Sequence, residues 1–316
     1  MGAVLSVSGA VFVLIGLGFF SVKRGLFKGE DMPILGRYVL NFALPALIFS
    51  TLTSRDLSEV LNLGYLLAYG AASVAAFAIA YLGSRRAGMT DLAASFQGMG
   101  ISCANSGFIG YAIVIMVFPD VAAPALALHF IIDNLVVIPL TLFMAERASD
   151  SARGLKVLGR IFARVLMIPI VMTLIVSLIL ALISITPPAI IARPAEFLGN
   201  SSVAVSLFFI GGTLATLPIS SFSSKVLPVV FGKLMLHPLL AALAILLVGL
   251  IGLPVGDGDM VRAMILYAGM PTVTIYPILA QRYGEAGRAS VTLFAMTILS
   301  FVTLTALLWL LVPGGG

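Results

Sequence analysis

Apolar residues run along this chain in long stretches separated by short polar connections. A helix rising about 1.5 Å per residue needs about 20 apolar residues to cross the hydrocarbon core of a bilayer. Stretches of that kind fall at roughly 3–22, 34–53, 62–83, 92–118, 121–144, 160–185, 197–218, 225–251, 261–281 and 289–312. They predict an all-α membrane protein of about ten transmembrane helices. The first stretch, Val4 to Phe20, has no basic residues ahead of it and no small-residue cleavage site after it. It is therefore expected to be a first helix and not a cleaved signal peptide. The connections leave no room for an extramembrane domain.

Composition agrees with the pattern. Of the 316 residues 60% are hydrophobic and 10% charged, with a mean hydropathy of +1.15. A soluble domain carries about a quarter of its residues as charges, so the outer surface is expected to face lipid. The net charge of +5 does not point to nucleic acid, because the basic residues sit in clusters between apolar runs, as in Lys23, Arg24, Lys28 and Arg37. Only Arg55, Arg193 and Arg262 follow even-numbered stretches; the other 15 of the 18, Lys225 and Lys233 among them, follow odd-numbered ones. By the positive-inside rule the odd connections are cytoplasmic and both termini lie outside a plasma or inner membrane.

Ten crossings divide at the longest connection into residues 1–145, a cytoplasmic linker at 146–159, and residues 160–316. Five crossings per half invert the second half relative to the first, the inverted-repeat plan of many secondary transporters. Asn41 to Phe49 and Asn200 to Phe209 are weakly alike. The Asn200-Ser201-Ser202 sequon is discounted at a membrane boundary.

Helix breakers at mid-membrane survive only where they are buried in protein or line a cavity. Two stretches carry them at matching positions. The fourth holds Gln97 to Gly110, rich in glycine and small polar residues, and the ninth holds Gly269-Met270-Pro271-Thr272-Val273-Thr274-Ile275-Tyr276-Pro277. Two interrupted helices crossing there would turn half-helix N-termini toward one point, an arrangement that suits a carboxylate. The alternative is that these glycines only let helices pack closely. Asn105, Ser106, Gly107, Pro271, Thr272 and Thr274 are the candidate substrate-binding residues, joined at similar depth by Asn41, Pro45 and Asn134.

Intramembrane ionisable residues are rare and tend to be functional. Asp133 is a candidate carrier of a proton or cation, with His129 one turn earlier on the same face as its possible partner. The alternative is that Asp133 binds free backbone groups of a broken helix. His237, beside Pro238, reads as a packing residue. Cys103 is the single cysteine, which excludes a disulfide framework or a multi-cysteine metal site. No phosphate-binding glycine loop, zinc-binding His-Glu-x-x-His or Gly-x-Ser-x-Gly elbow occurs, so neither an enzyme nor a cofactor is expected.

The broken stretches resemble the auxin efflux carrier family, which includes plant auxin exporters and bacterial malonate or malate permeases. The resemblance is carried by Leu40 to Phe49, Asn105 to Gly110, Phe208 to Ala215, Met270-Pro271-Thr272 and Ile278 to Gly284. It implies a scaffold bundle and a transport bundle in an elevator arrangement, a carboxylate held where the fourth and ninth helices cross, and a homodimer. Family asparagines would map to Asn105 and Asn134. Two departures stand out: Ala112 where many members have proline, and Pro277 as an additional breaker.

The leading expectation is a secondary carrier of small organic anions, driven by the substrate gradient or by coupled H⁺ or Na⁺. A cation antiporter dependent on Asp133, and a receptor that binds without translocating, are the two competing readings.

Overall fold

The computed structural model describes residues 2–54, 61–148, 159, 163, 166–216 and 226–312, with side chains from Gly9 onward. All regular structure among them is helical. The helices are α1 (Gly2–Lys23), α2 (Gly29–Thr53), α3 (Leu63–Arg86), α4 (Asp91–Val117), α5 (Pro119–Ala148), α6 (Pro169–Leu182), α7 (Ala189–Thr216), α8 (Leu227–Leu250), α9 (Gly258–Ala268), α10 (Tyr276–Gln281) and α11 (Ala286–Leu311). Seven of these, α2 to α5, α7, α8 and α11, are long and apolar enough to cross a membrane. The first and sixth predicted stretches hold the shorter apolar helices Gly9–Lys23 and Pro169–Leu182. The ninth is shared between α9 and α10. Most of the expected linker, 149–158, lies outside the described residues, as do Arg55 and Lys225.

Large apolar side chains cover the outside, Phe197, Ile190 and Leu250 among the most exposed, while the interior buries Asn105, Asp133, Lys233 and both histidines. That inversion fits an apolar surround, in which polar groups gain by finding one another inside. The helices pack in two groups. In one, α1 lies on α7, and α2 contacts both α6 and α7. In the other, α3 packs on α4 and α8, the first half of α4 on the end of α5, and α8 on α9. The Ser106–Gly110 turn touches α7, and α2 touches α5, so the seam between the groups passes the interruption in α4.

Close approach in the first group depends on glycine. A β-carbon at Gly211 would collide with the Ile15 carbonyl, and one at Gly18 with the Phe208 carbonyl. Gly211 and Gly18 thus let α7 settle backbone-to-backbone on α1, the role small residues play between helices in lipid.

Four helices contain a widened π turn: Val39–Ala43 in α2, Ser106–Gly110 in α4, Asp133–Val137 in α5 and Gly232–Leu236 in α8. Two residues after three of these turns comes a proline: Pro45, Pro139 and Pro238. Proline has no N–H to give the carbonyl four residues back, and its ring crowds that carbonyl. Widening the turn relieves both conflicts. In α4 the equivalent residue is Ala112, where many members of the family the chain resembles have proline, yet the turn is still formed.

Candidate functional site

The α4 helix breaks where its glycines and small polar residues predict. It stops at Ser102, runs through non-helical Cys103, Ala104 and Asn105, and resumes at Ser106. The second interruption separates α9 from α10 across residues 269–275. Pro277 is not a mid-helix breaker: it lies in the first turn of α10, where the missing N–H costs nothing.

The two interruptions meet. The Asn105 N–H donates to the Pro271 carbonyl at 2.8 Å, and Asn105 Nδ2 donates to Thr274 Oγ1 at 2.9 Å. Asn105 Oδ1 is buried without a partner, as are Ser106 Oγ and Thr272 Oγ1. Such orphans are uncommon because each costs about 1–3 kcal/mol. The Thr274 hydroxyl can donate as well as accept. A half-turn of the Asn105 amide therefore keeps that bond and frees an N–H₂ donor.

Beside the crossing lies a cavity of about 250 Å³, lined among others by Asn41, Asn105, Gly107, Phe108, Asp133 and Asn134. Three of the four π turns reach its wall, bringing Asn41 from α2, Gly107 from α4 and Asp133 with Asn134 from α5. π turns are frequent at functional sites. Asn41 Nδ2 donates to the Arg37 carbonyl and Asn134 Nδ2 to that of Phe130, at 2.7 and 2.9 Å. Both amide oxygens are then left for other partners. Pro45 is buried in α2 below the π turn, and Ser106, Pro271, Thr272 and Thr274 do not line this cavity. Thr274 instead faces a second cavity of about 450 Å³ with Arg37, Phe108, Phe209 and Thr213.

The expected pairing of His129 with Asp133 is not made. Asp133 accepts from the Tyr69 hydroxyl at 3.1 Å and from the Ala104 N–H at 3.4 Å. His129 Nδ1 instead meets the Ala125 carbonyl at 3.0 Å and the Tyr65 hydroxyl at 3.1 Å. Both side chains point at α3, whose Tyr65 and Tyr69 are also four apart, so each takes its own rung and neither turns to the other. The bond to Ala104 is of the backbone-binding kind that the sequence left as an alternative. It also means that the Ala104 and Asn105 N–H groups are already engaged. The N–H groups of Ser106, Gly107 and Phe108 precede the first turn's bonds, which run from Ile109 and Gly110 to the Asn105 carbonyl.

Lys233 is the functional candidate that sequence reasoning missed. Assigned to a cytoplasmic connection, it is wholly buried inside α8. Its Nζ donates to the Ala268 carbonyl at 2.9 Å and to His237 Nδ1 at 2.6 Å. Ala268 is the last residue of α9, so the ammonium caps the negative end of an interrupted helix. His237 Nε2 then meets Ser73 Oγ at 3.2 Å. Tyr69 lies between the two histidine rings, at 3.7 Å from His129 and 5.7 Å from His237. Lys233 and Asp133 share no salt bridge among the described residues. The sequence offers one hint, the apolar run from Val226 to Phe231 that precedes Lys233, and it does not show what the lysine caps. The basic-residue count that orients the chain loses this residue and keeps its sense.

The profile of the membrane transport proteins known as the auxin efflux carrier family matches residues 7–310. The chain belongs to that family. Auxin efflux carrier family relatives cover it almost end to end. A Rhizobium meliloti (strain 1021) protein named "Putative malonate transporter" is 28% identical over 306 residues, 96% of this chain and 94% of its own. "Uncharacterized transporter YfdV" of Escherichia coli (strain K12) is 26% identical over 308 residues, 96% of this chain and 95% of its own. An "Uncharacterized transporter" of Methanothermobacter thermautotrophicus is 26% identical over 299 residues, 93% of this chain and 94% of its own. This auxin efflux carrier family member is a multi-pass membrane transporter.

Proposed function

We propose that the protein is a secondary carrier of small organic anions that works by alternating access. The observation that carries this reading is the crossing of the two interrupted segments at Asn105, with Pro271 and Thr274 as its partners, beside a cavity at the seam between two helix groups. Interrupted helices at mid-membrane are where secondary transporters bind their cargo. In this reading the chain makes ten crossings as two inverted five-helix repeats, with both termini outside the plasma or inner membrane. The group of α1, α2, α6 and α7 is the scaffold, the other group slides against it, and two copies pair as a homodimer. Asn105, with its amide turned, and the leading N–H groups of the second half of α4 hold the carboxylate. Asn41 and Asn134 complete the wall. The relative named for malonate supports a carboxylate cargo.

The test is uptake into proteoliposomes holding the purified protein, with malonate, succinate, benzoate and indole-3-acetate as radiolabelled probes. Saturable uptake of one of them, lost in Asn105→Ala, is the expected result. A second reading, a Na⁺- or H⁺-coupled cation antiporter, is favoured by Asp133 on the cavity wall. Uptake of ²²Na⁺ or proton flux that needs Asp133, with no response to any acid, would replace the first reading with the second.

A further inference from the structure

The two cavities divide their charge. Among the described residues, Asp133 is the one carboxylate on the wall of the smaller cavity, which holds no basic side chain, and Arg37 is the one charged residue on the wall of the larger. An anion entering the smaller cavity first would meet an acidic side chain with no basic residue on the same wall. In the larger it would meet a guanidinium. The Arg37 side chain makes no salt bridge or hydrogen bond among the described residues, so its donors are open to a ligand. Thr213 Oγ1, on the same wall, is buried and has no hydrogen-bond partner. A planar guanidinium and an unused hydroxyl on one cavity wall suit the two oxygens of a carboxylate.

The larger cavity also opens where anions gather. Gly29, Thr216 and Ser290 on its wall lie at the ends of α2, α7 and α11. The chain there carries Lys23, Arg24, Lys28, Arg282 and Arg288, against Glu30, Asp31 and Glu285. Glu285 lies 3.7 Å from Arg288, so that pair cancels, and the remaining four bases outnumber Glu30 and Asp31 by two. A basic mouth of this kind raises the local concentration of anions. Leu40, Phe108 and Ile275 wall both cavities, and Thr274, in the larger, holds the Asn105 amide of the smaller. The partition between them is therefore a single layer of side chains.

We propose that the larger cavity is a separate anion-binding site in which Arg37 and Thr213 hold one carboxylate group before the anion reaches the crossing at Asn105. With one basic residue and otherwise mostly apolar walls, the site recognises one carboxylate and accommodates the rest of the anion against Met32, Phe209 and Leu293. The inference rests on the carrier reading given above.

The experiment uses the full chain in proteoliposomes and whichever of malonate, succinate or benzoate the unaltered protein takes up fastest. Arg37→Gln is expected to raise KM about tenfold with kcat retained, the loss of one charge-assisted bond. Arg37→Lys recovers part of it, and Thr213→Val raises KM less. Monomethyl malonate competes as well as malonate, because one carboxylate is read. Asn105→Ala, by contrast, lowers kcat. An unchanged KM in Arg37→Gln, with transport still lost in Asn105→Ala, overturns the Arg37 site and leaves the carrier standing. If the unaltered protein moves none of the acids, the carrier reading falls and this inference falls with it. Monodispersity of each variant in detergent shows that a changed KM is not a failure to fold.

Discussion

The Asn105 N–H and the Pro271 carbonyl are 2.8 Å apart, so the interrupted segments of α4 and of α9–α10 are tied main chain to main chain. That bond survives any change of side chain. What the Asn105 side chain adds is separable from the crossing itself, since its amide reaches Thr274 on the far strand of the interruption.

Asn105→Ala is therefore expected to keep the fold and lose the function. One side-chain bond goes, which costs about 0.5–1.5 kcal/mol of stability. Uptake is expected to be lost through kcat, because the carboxylate no longer has the amide that holds it at the crossing. Thermal denaturation of the purified protein and uptake kinetics in proteoliposomes measure the two separately.

Lys233→Met tests the buried ammonium. The substitution keeps the length of the side chain but strands the Ala268 carbonyl and His237 Nδ1, two acceptors on buried residues. A loss of about 1–3 kcal/mol per stranded acceptor is expected, seen as a clear fall in melting temperature. A melting temperature unchanged from the parent would show that the end of α9 finds another donor.

Gly211→Leu is expected to be worse than any substitution at the cavity. The added side chain collides with the α1 backbone at Ile15, and backbone cannot move aside as a flexible side chain can. Overpacking costs about 1–3 kcal/mol or more. Fluorescence-detected size exclusion would report a loss of folded protein, with Gly9→Leu, where nothing lies within 4 Å, as the control.

Ala112→Pro asks whether the π turn in α4 is interchangeable with the three that precede a proline. The turn is already widened, so the proline is expected to be tolerated within about 1 kcal/mol. The same change at Val114, in the regular part of the helix, is expected to cost about 3 kcal/mol or more. Equal damage at both positions would show that α4 is built differently from α2, α5 and α8.

Much of this was readable in the chain. The apolar stretches gave the helices, the glycines of 97–110 marked the break in α4, and Pro271 marked the one between α9 and α10. Asn105 was picked out from its depth and setting. Three things were not readable. Lys233 looked like a loop residue, because a lysine near the start of an apolar run is usually at the membrane surface and only tertiary packing shows the carbonyl it caps. The spacing of His129 and Asp133 promised a pair, but spacing along one helix does not reveal a ladder of tyrosines on the next. The division into two cavities depends on how α2, α7 and α11 converge, which no local pattern records.

Each π turn holds one residue more than an α turn would need. In a regular helix that residue would turn everything beyond it by about 100°, and the widened turn absorbs it. At these turns the length of the chain thus matters as well as its composition. Deleting a single residue within Asp133–Val137 would let α5 close into a regular helix with its flanking faces kept in place, and would remove only the widened turn from the cavity wall. An alignment of relatives that places single-residue gaps inside these turns would accordingly mark carriers whose cavity walls present different side chains, even where every flanking residue is the same.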